Sequence, residues 1–245
     1  MSVNQNKVWK NSETLWTHVI KYYQKSTLPY GNRANYLREN GRIQEALRDY
    51  SKTLSLNPKA HNTYNSRARL YFDNSNNRDT LILALQDYTM AIELDPQNGE
   101  FYVNRGATFA RLGDGNRAIQ DLDKGLEILP NHAVGYRNRS VIHNQLENFQ
   151  EAYNDIVSYL ELSPYSSDMW YEKARILRNL RRPNEAIPAY DRAIKINNQK
   201  GLYYYERGVT YYNLNKIAES KRDVQTAISL EYKNVNPNLR QQLGL

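Results

Sequence analysis

The sequence predicts an all-α protein: an α-solenoid of six helix–turn–helix units with a capping helix at each end. Three observations predict it. An arginine or lysine stands directly before a small residue at Arg33, Arg67, Arg105, Arg139, Lys173 and Arg207, at intervals of 34, 38, 34, 34 and 34 residues. Prolines keep the same beat at Pro58, Pro96, Pro130 and Pro164. Between these markers, apolar and small residues recur at three- and four-residue spacing, the period of amphipathic helices. A fixed period of this size marks stacked units, none of which buries its apolar face alone.

Taken in order, residues 1–26 hold a capping helix. The stretch 9–25, "WKNSETLWTHVIKYYQK", offers Ser12 as N-cap and an apolar stripe of Trp16, Val19, Ile20 and Tyr23. The six units span 27–60, 61–98, 99–132, 133–166, 167–200 and 201–232. Each opens with an aromatic (Tyr30, Tyr64, Tyr102, Tyr136, Trp170, Tyr204), followed four residues on by a small residue (Ala34, Ala68, Gly106, Ser140, Ala174, Gly208). The second helix carries a small residue and then a larger one: Ala46 and Tyr50, Ala84 and Tyr88, Ala118 and Leu122, Ala152 and Ile156, Ala186 and Tyr190, Ser220 and Val224. Short polar breaks such as "ENGR" (39–42) and "LGDGN" (112–116) separate the two helices. The second unit has four extra residues within "YFDNSNNRDTLI" (71–82), expected in its turn, where insertions cost little. The fifth has Pro188 inside its second helix and Asn198 in place of the closing proline, which predicts a kink or a late start. Residues 233–245 end in "NVNPNLRQQLGL", a closing helix with Leu239 and Leu243 over the last unit.

This pattern resembles the tetratricopeptide repeat over about residues 27–232. "FYVNRGATFARLGDGNRAIQDLDKGLEILP" (101–130) carries the resemblance best, and "GNRANYLRENGRIQEALRDYSKTLSLNP" (31–58) nearly as well. It implies a right-handed superhelix. The chain departs from the family where Arg33, Arg67, Arg105, Arg139, Lys173 and Arg207 stand at a position that is usually apolar. Sixteen residues after four of them come Asp49, Asp121, Asp155 and Asp223; in the lengthened unit Asp87 follows Arg67 by twenty. Residues equidistant from a hairpin's turn face each other, so each pair is expected to bridge the two helices. The unit with Lys173 has Ala189 where the aspartate is expected. Loss of both partners together is what a pairing predicts. Arginine's planar fork suits a bidentate carboxylate, and lysine's point charge does not.

Catalytic chemistry has little to stand on. There is no cysteine, which excludes disulfides and thiolate metal sites. His18, His61, His132 and His143 lack the spacing of a metal site, and His143 falls on an aromatic core position. "DLD" (121–123) looks like a metal-binding acidic pair, but residues two apart on a helix diverge. "GDGN" (113–116) reads as a tight turn. No enzyme and no cofactor are expected. The formal charge of +7 is mixed along the chain, and Glu39, Asp73, Glu100 and Asp168 interrupt any basic stripe, which argues against nucleic acid. No apolar run is long enough to insert in a membrane.

The function expected is that of a protein–protein interaction scaffold. The resemblance implies a concave groove lined by the first helices, which takes a peptide or a partner protein. Carried over residue by residue, its lining is Asn35, Arg38, Asn65, Arg69, Phe72, Val103, Ala107, Arg111, Arg137, Val141, Asn144, Tyr171, Arg175, Arg178, Tyr205, Val209 and Tyr212. Arginine and asparagine in the middle point to an acidic partner. Asp168 is expected to occupy Arg175 or its neighbour. The lysine–asparagine clamp of the chaperone-binding subfamily is not matched, since Gly31 stands where its first lysine is expected. A monomer is expected. The opening "VWKNSETLW" also resembles the junction in membrane glycosyltransferases that precedes a soluble repeat domain. That resemblance implies an accessory domain that positions acceptor proteins and an extracytoplasmic or periplasmic location; without it the location is cytoplasmic.

Overall fold

A computed structural model describes residues 11–245, all helix and connection, in two compact units that divide after Pro130. Among the described residues the first unit holds α1 (Ser12–Tyr22) and three hairpins: α2 (Thr27–Glu39) with α3 (Ile43–Leu56), α4 (His61–Asn74) with α5 (Arg78–Leu94), and α6 (Gly99–Arg111) with α7 (Gly115–Ile128). The second holds three more: α8 (Ala133–Gln145) with α9 (Phe149–Leu162), α10 (Ser167–Asn179) with α11 (Pro183–Ile196), and α12 (Gly201–Asn213) with α13 (Ile217–Ser229). A short α14 (Pro237–Gln242) follows. The expected all-helical, helix–turn–helix architecture is the one observed.

Packing within each hairpin follows the small-and-large alternation. Ala34, Ala68 and Ala174 are fully buried, as are the facing Ala46, Ala84 and Ala186. At Gly106 the helices are so close that a Cβ would meet the Ala118 carbonyl oxygen at 3.0 Å. The larger residues one turn on, Tyr50, Tyr88, Leu122, Ile156, Tyr190 and Val224, fill the space beside these contacts and are at most 2% exposed. Each such side chain contributes about 1.5–3 kcal/mol by leaving water.

The repeated arginines each take the expected aspartate. Arg33 Nε and Nη2 donate to the Asp49 carboxylate at 2.6 and 2.8 Å. The same two-point bond joins Arg67 to Asp87, Arg105 to Asp121, Arg139 to Asp155 and Arg207 to Asp223. The aspartate side chains are at most 10% exposed and the arginines at most 22%. Each guanidinium also lies 5.7–6.0 Å from the ring of the tyrosine three residues before it. There is a third contact. Arg33, Arg67, Arg105 and Arg207 turn Nη1 to the residue sixteen positions upstream, on the preceding helix: Thr17, Ser51, Thr89 and Asp191, at 3.1, 2.9, 3.2 and 2.5 Å. One side chain therefore ties three helices. Burial alone would lower the Arg207 pKa, but its bonds and charge contacts with Asp223 and Asp191 outweigh this and raise it.

The hairpin that lacks the clamp is held by aromatic rings. Lys173 Nζ lies 5.0 Å from the Trp170 ring and 5.6 Å from Tyr153, and burial lowers its pKa. Tyr171 stacks on Tyr203 at 5.2 Å and meets Tyr190 at 6.1 Å.

Four expectations need correction. Asn11, not Ser12, caps α1: its Oδ1 accepts from the Thr14 amide at 2.9 Å, and Thr14 Oγ1 accepts from the Asn11 amide at 3.2 Å. Tyr23 lies beyond α1 and is 64% exposed, so it leaves the capping stripe; Trp9 and Lys10 of the expected helix fall outside the described residues. The insertion does not lengthen the second turn, which remains three residues (75–77). It adds one residue to α4 and three to α5, relative to α6 and α7. Extending a helix adds backbone hydrogen bonds, whereas a longer loop adds none. Finally, α11 starts in register at Pro183 and runs on through Pro188, so the late start is not observed.

Two predictions follow from the hairpins. The middle turn residue has φ of +72° at Gly41 and +83° at Gly113, but in the second unit it is Glu147, Arg181 or Asn215, also at positive φ. A non-glycine residue there costs about 1–2 kcal/mol, partly offset by glycine's greater unfolded freedom. Glu147→Gly is expected to stabilise by roughly 0.5–1 kcal/mol in urea denaturation. Restoring the missing rung gives the second. Ala189→Asp alone buries a carboxylate opposite a lysine and destabilises; adding Lys173→Arg should recover about 1–2 kcal/mol. No recovery in a double-mutant cycle would count against the two-point geometry as the reason for arginine.

Candidate functional site

The inner faces of α8 and α10 enclose a cavity of about 330 Å³, lined in part by Arg137, Val141, Asn144, Met169, Glu172 and Arg175. Arg137, Val141 and Asn144 stand four and three residues apart on α8 and so share a face. Val141 is 47% exposed. Arg137 is exposed, donates to the Asn138 side chain at 3.5 Å and meets no carboxylate among the described residues. Arg175 donates to both Glu172 oxygens at 3.1 Å. Asn144 accepts from Asn179 at 3.4 Å through its side-chain oxygen, which leaves its Nδ2 to face the cavity as a donor. The wall thus offers one uncompensated guanidinium, one that is balanced and an amide donor, around an apolar patch.

The other expected groove residues are placed differently. In the first unit, Asn35 accepts from the Tyr50 hydroxyl and Asn65 from Asn104. Arg38 pairs with Glu39 and Arg69 with Asp73. Arg111 donates to the Phe72 carbonyl and Asn76 and lies 4.6 Å from the Phe72 ring. Val103 is buried. In the second unit Tyr171 is 8% exposed and belongs to the core, where burial pushes its hydroxyl pKa up. Arg178 donates to Glu206 and to the Tyr190 hydroxyl. Asp168 takes neither arginine: it accepts from Lys200 at 2.5 Å and from the Tyr203 hydroxyl at 2.6 Å. These contacts hold its carboxyl below its ordinary pKa. The aromatic end, Tyr205, Val209 and Tyr212, packs under α14 and its flanks. Glu172 was legible as an i,i+3 partner of Arg175; Glu206, 28 residues from Arg178, carried no local signal.

His132, Asp114 and Asp121 have structural roles. His132 Nδ1 accepts from the Gly135 amide and caps α8. Asp114 caps α7, accepting from the Arg117 amide. Asp121 of "DLD" is buried on Arg105 while Asp123 is exposed. Among the described residues no three His, Cys, Asp or Glu side chains group as metal ligands, and no helix is long and apolar enough to cross a membrane. Val8, Trp9 and Lys10 of "VWKNSETLW" lie outside the described residues. The remainder opens α1, where Glu13 accepts from Arg42 at 2.7 Å.

Family models described as tetratricopeptide repeat match residues 167–200 and 202–234, and another of the same description matches 32–79. A 75-residue stretch is 36% identical to a DnaJ homolog subfamily C member 7 homolog of Dictyostelium discoideum, but the match covers only 31% of this chain and 13% of that protein. Among solved structures, a tetratricopeptide repeat protein of Parabacteroides merdae is similar over 98% of this chain and 92% of its own, with a TM-score of 0.64 and 19% identity. YrrB, described as a TPR protein with an unusual peptide-binding site, is similar over 75% of this chain and 92% of its own, at 0.63 and 21%. The Cut9–Hcn1 assembly of APC/C is similar over 95% of this chain and 45% of its own, at 0.66 and 14%. The chain carries tetratricopeptide repeats at residues 32–79, 167–200 and 202–234, and the same helix–turn–helix hairpin recurs between them.

Proposed function

We propose that this chain is a non-catalytic interaction scaffold that holds an extended, acidic peptide segment in the cavity between α8 and α10. The observation that carries the reading is Arg137, a guanidinium with no carboxylate partner among the described residues, on a concave wall beside exposed Val141. A side-chain carboxylate of the peptide takes Arg137 in a two-point bond. An adjacent apolar side chain covers Val141, and the Asn144 amide donates to a peptide carbonyl. Arg178, Tyr171, Tyr205 and Tyr212 are not assigned to this contact. YrrB's peptide-binding site supports the class of ligand by analogy of fold.

The test is an array of defined twelve-residue peptides probed with the intact chain, each Asp/Glu sequence printed beside its Asn/Gln counterpart. Binders are then titrated in solution. Arg137→Ala should weaken binding by about 1.5–3 kcal/mol, roughly ten- to a hundredfold. Arg117→Ala, outside the cavity, should leave it unchanged. Affinity should fall as salt rises. Equal binding of acidic and amide peptides, or an unchanged affinity for Arg137→Ala, would remove this site.

A further inference from the structure

We infer that the inner face of the last hairpin is a second recognition surface, specific for a short segment with an Asn-Pro helix start and two aliphatic side chains four residues apart. Residues 236–245 of this chain fill it as an intramolecular competitor. Tyr205, Val209 and Tyr212 stand on α12 with the spacing of Arg137, Val141 and Asn144 on α8, yet here the face is covered. Leu239 and Leu243 lie against it, 8% and 4% exposed, with Val224, Ile228 and Val235 around them. Two tyrosine hydroxyls set the register: Tyr205 accepts from the Asn236 amide at 3.2 Å, and Tyr212 donates to Gln242 at 3.0 Å. Lys221 donates to the Gly244 carbonyl at 3.3 Å.

The segment carries its own helix start. Asn236 Oδ1 accepts from the Asn238 and Leu239 amides at 2.9 and 3.4 Å, and Pro237 takes the first helical position. A helix of six residues does not persist alone in water, so the surface itself orders the segment, as in coupled folding and binding. Its attachment differs from that of the hairpins. Among the described residues no ion pair joins it to α12 or α13, and Arg240 is spent on the Leu245 carbonyl at 3.2 Å. The neighbouring α12–α13 hairpin, by contrast, is clamped by Arg207 and Asp223. The segment can therefore open without breaking the clamp of α12 and α13, and a partner segment of the same chemistry can then take its place.

The test uses the full chain and a fluorescein-labelled synthetic peptide of residues 234–245. In Leu239→Glu/Leu243→Glu the internal segment is released. This variant should bind the peptide saturably and at least about tenfold more tightly than the wild type, whose surface is filled. Adding Val209→Glu should abolish binding. A released variant that keeps its helical circular dichroism and binds no better than wild type overturns the inference, and so does binding that survives Val209→Glu. Should the released variant lose its helices, the decision passes to hydrogen exchange on the wild type. Excess unlabelled peptide should then speed exchange of the Leu239–Leu245 amides severalfold, and unchanged protection overturns the inference.

Discussion

The structure depends on a charge pair taken largely out of water. An unpaired guanidinium beside a hairpin's core would be costly to bury, and so would an unpaired aspartate. Joined by two parallel hydrogen bonds they compensate each other, and the geometry of the fork leaves one relative height for the two helices. A purely apolar contact at the same place would be as favourable but would tolerate sliding. The remaining nitrogen then reaches the preceding helix, at Thr17, Ser51, Thr89 or Asp191. The clamp thus sets both the register within a hairpin and the seating of one hairpin on the helix before it.

This constraint bears on where the proposed contact sits. With the interior register fixed by charge, the inner faces of the first helices are free to vary. In the first unit their polar side chains are largely satisfied locally, as where Asn104 donates to Asn65 and Arg111 to Asn76 and the Phe72 carbonyl. In the second unit α8 leaves Arg137 and Val141 open, while α12 presents tyrosines that the chain covers itself. The hairpin between them has no clamp and relies on the Tyr171, Tyr190 and Tyr203 rings.

Much of this was legible in the sequence because it repeats. A residue seen once is a coincidence; Arg33, Arg67, Arg105, Arg139 and Arg207, each with an aspartate at a matching distance, form a pattern, and its joint failure at Lys173 and Ala189 strengthens it. The third arm of the arginine was also periodic, but Thr, Ser and Asp at the upstream position share only the ability to accept a hydrogen bond, and this hid the regularity. Side-chain exposure on the inner face was not legible. Tyr171 occupies a groove position by count yet turns into the core, because the adjacent hairpin presents Tyr203 for it to stack on. Likewise Asp168 stands near Arg175 in sequence, yet Lys200 and Tyr203 reach it from the next hairpin. The insertion is hidden for a different reason: loops tolerate extra residues at little cost, but this stretch continues helix at both ends.

The most direct measurement of the central claim is a double-mutant cycle on one rung, Arg105→Met and Asp121→Leu, singly and together, followed by urea denaturation with circular dichroism as the probe. Each single change strands a largely buried charge and should cost about 3 kcal/mol or more. The double change removes both charges and should cost markedly less than the sum, with a coupling energy of at least about 2 kcal/mol. Additive losses, or single losses below about 1 kcal/mol as for an exposed pair, would contradict the clamp as the interaction that holds these hairpins in register.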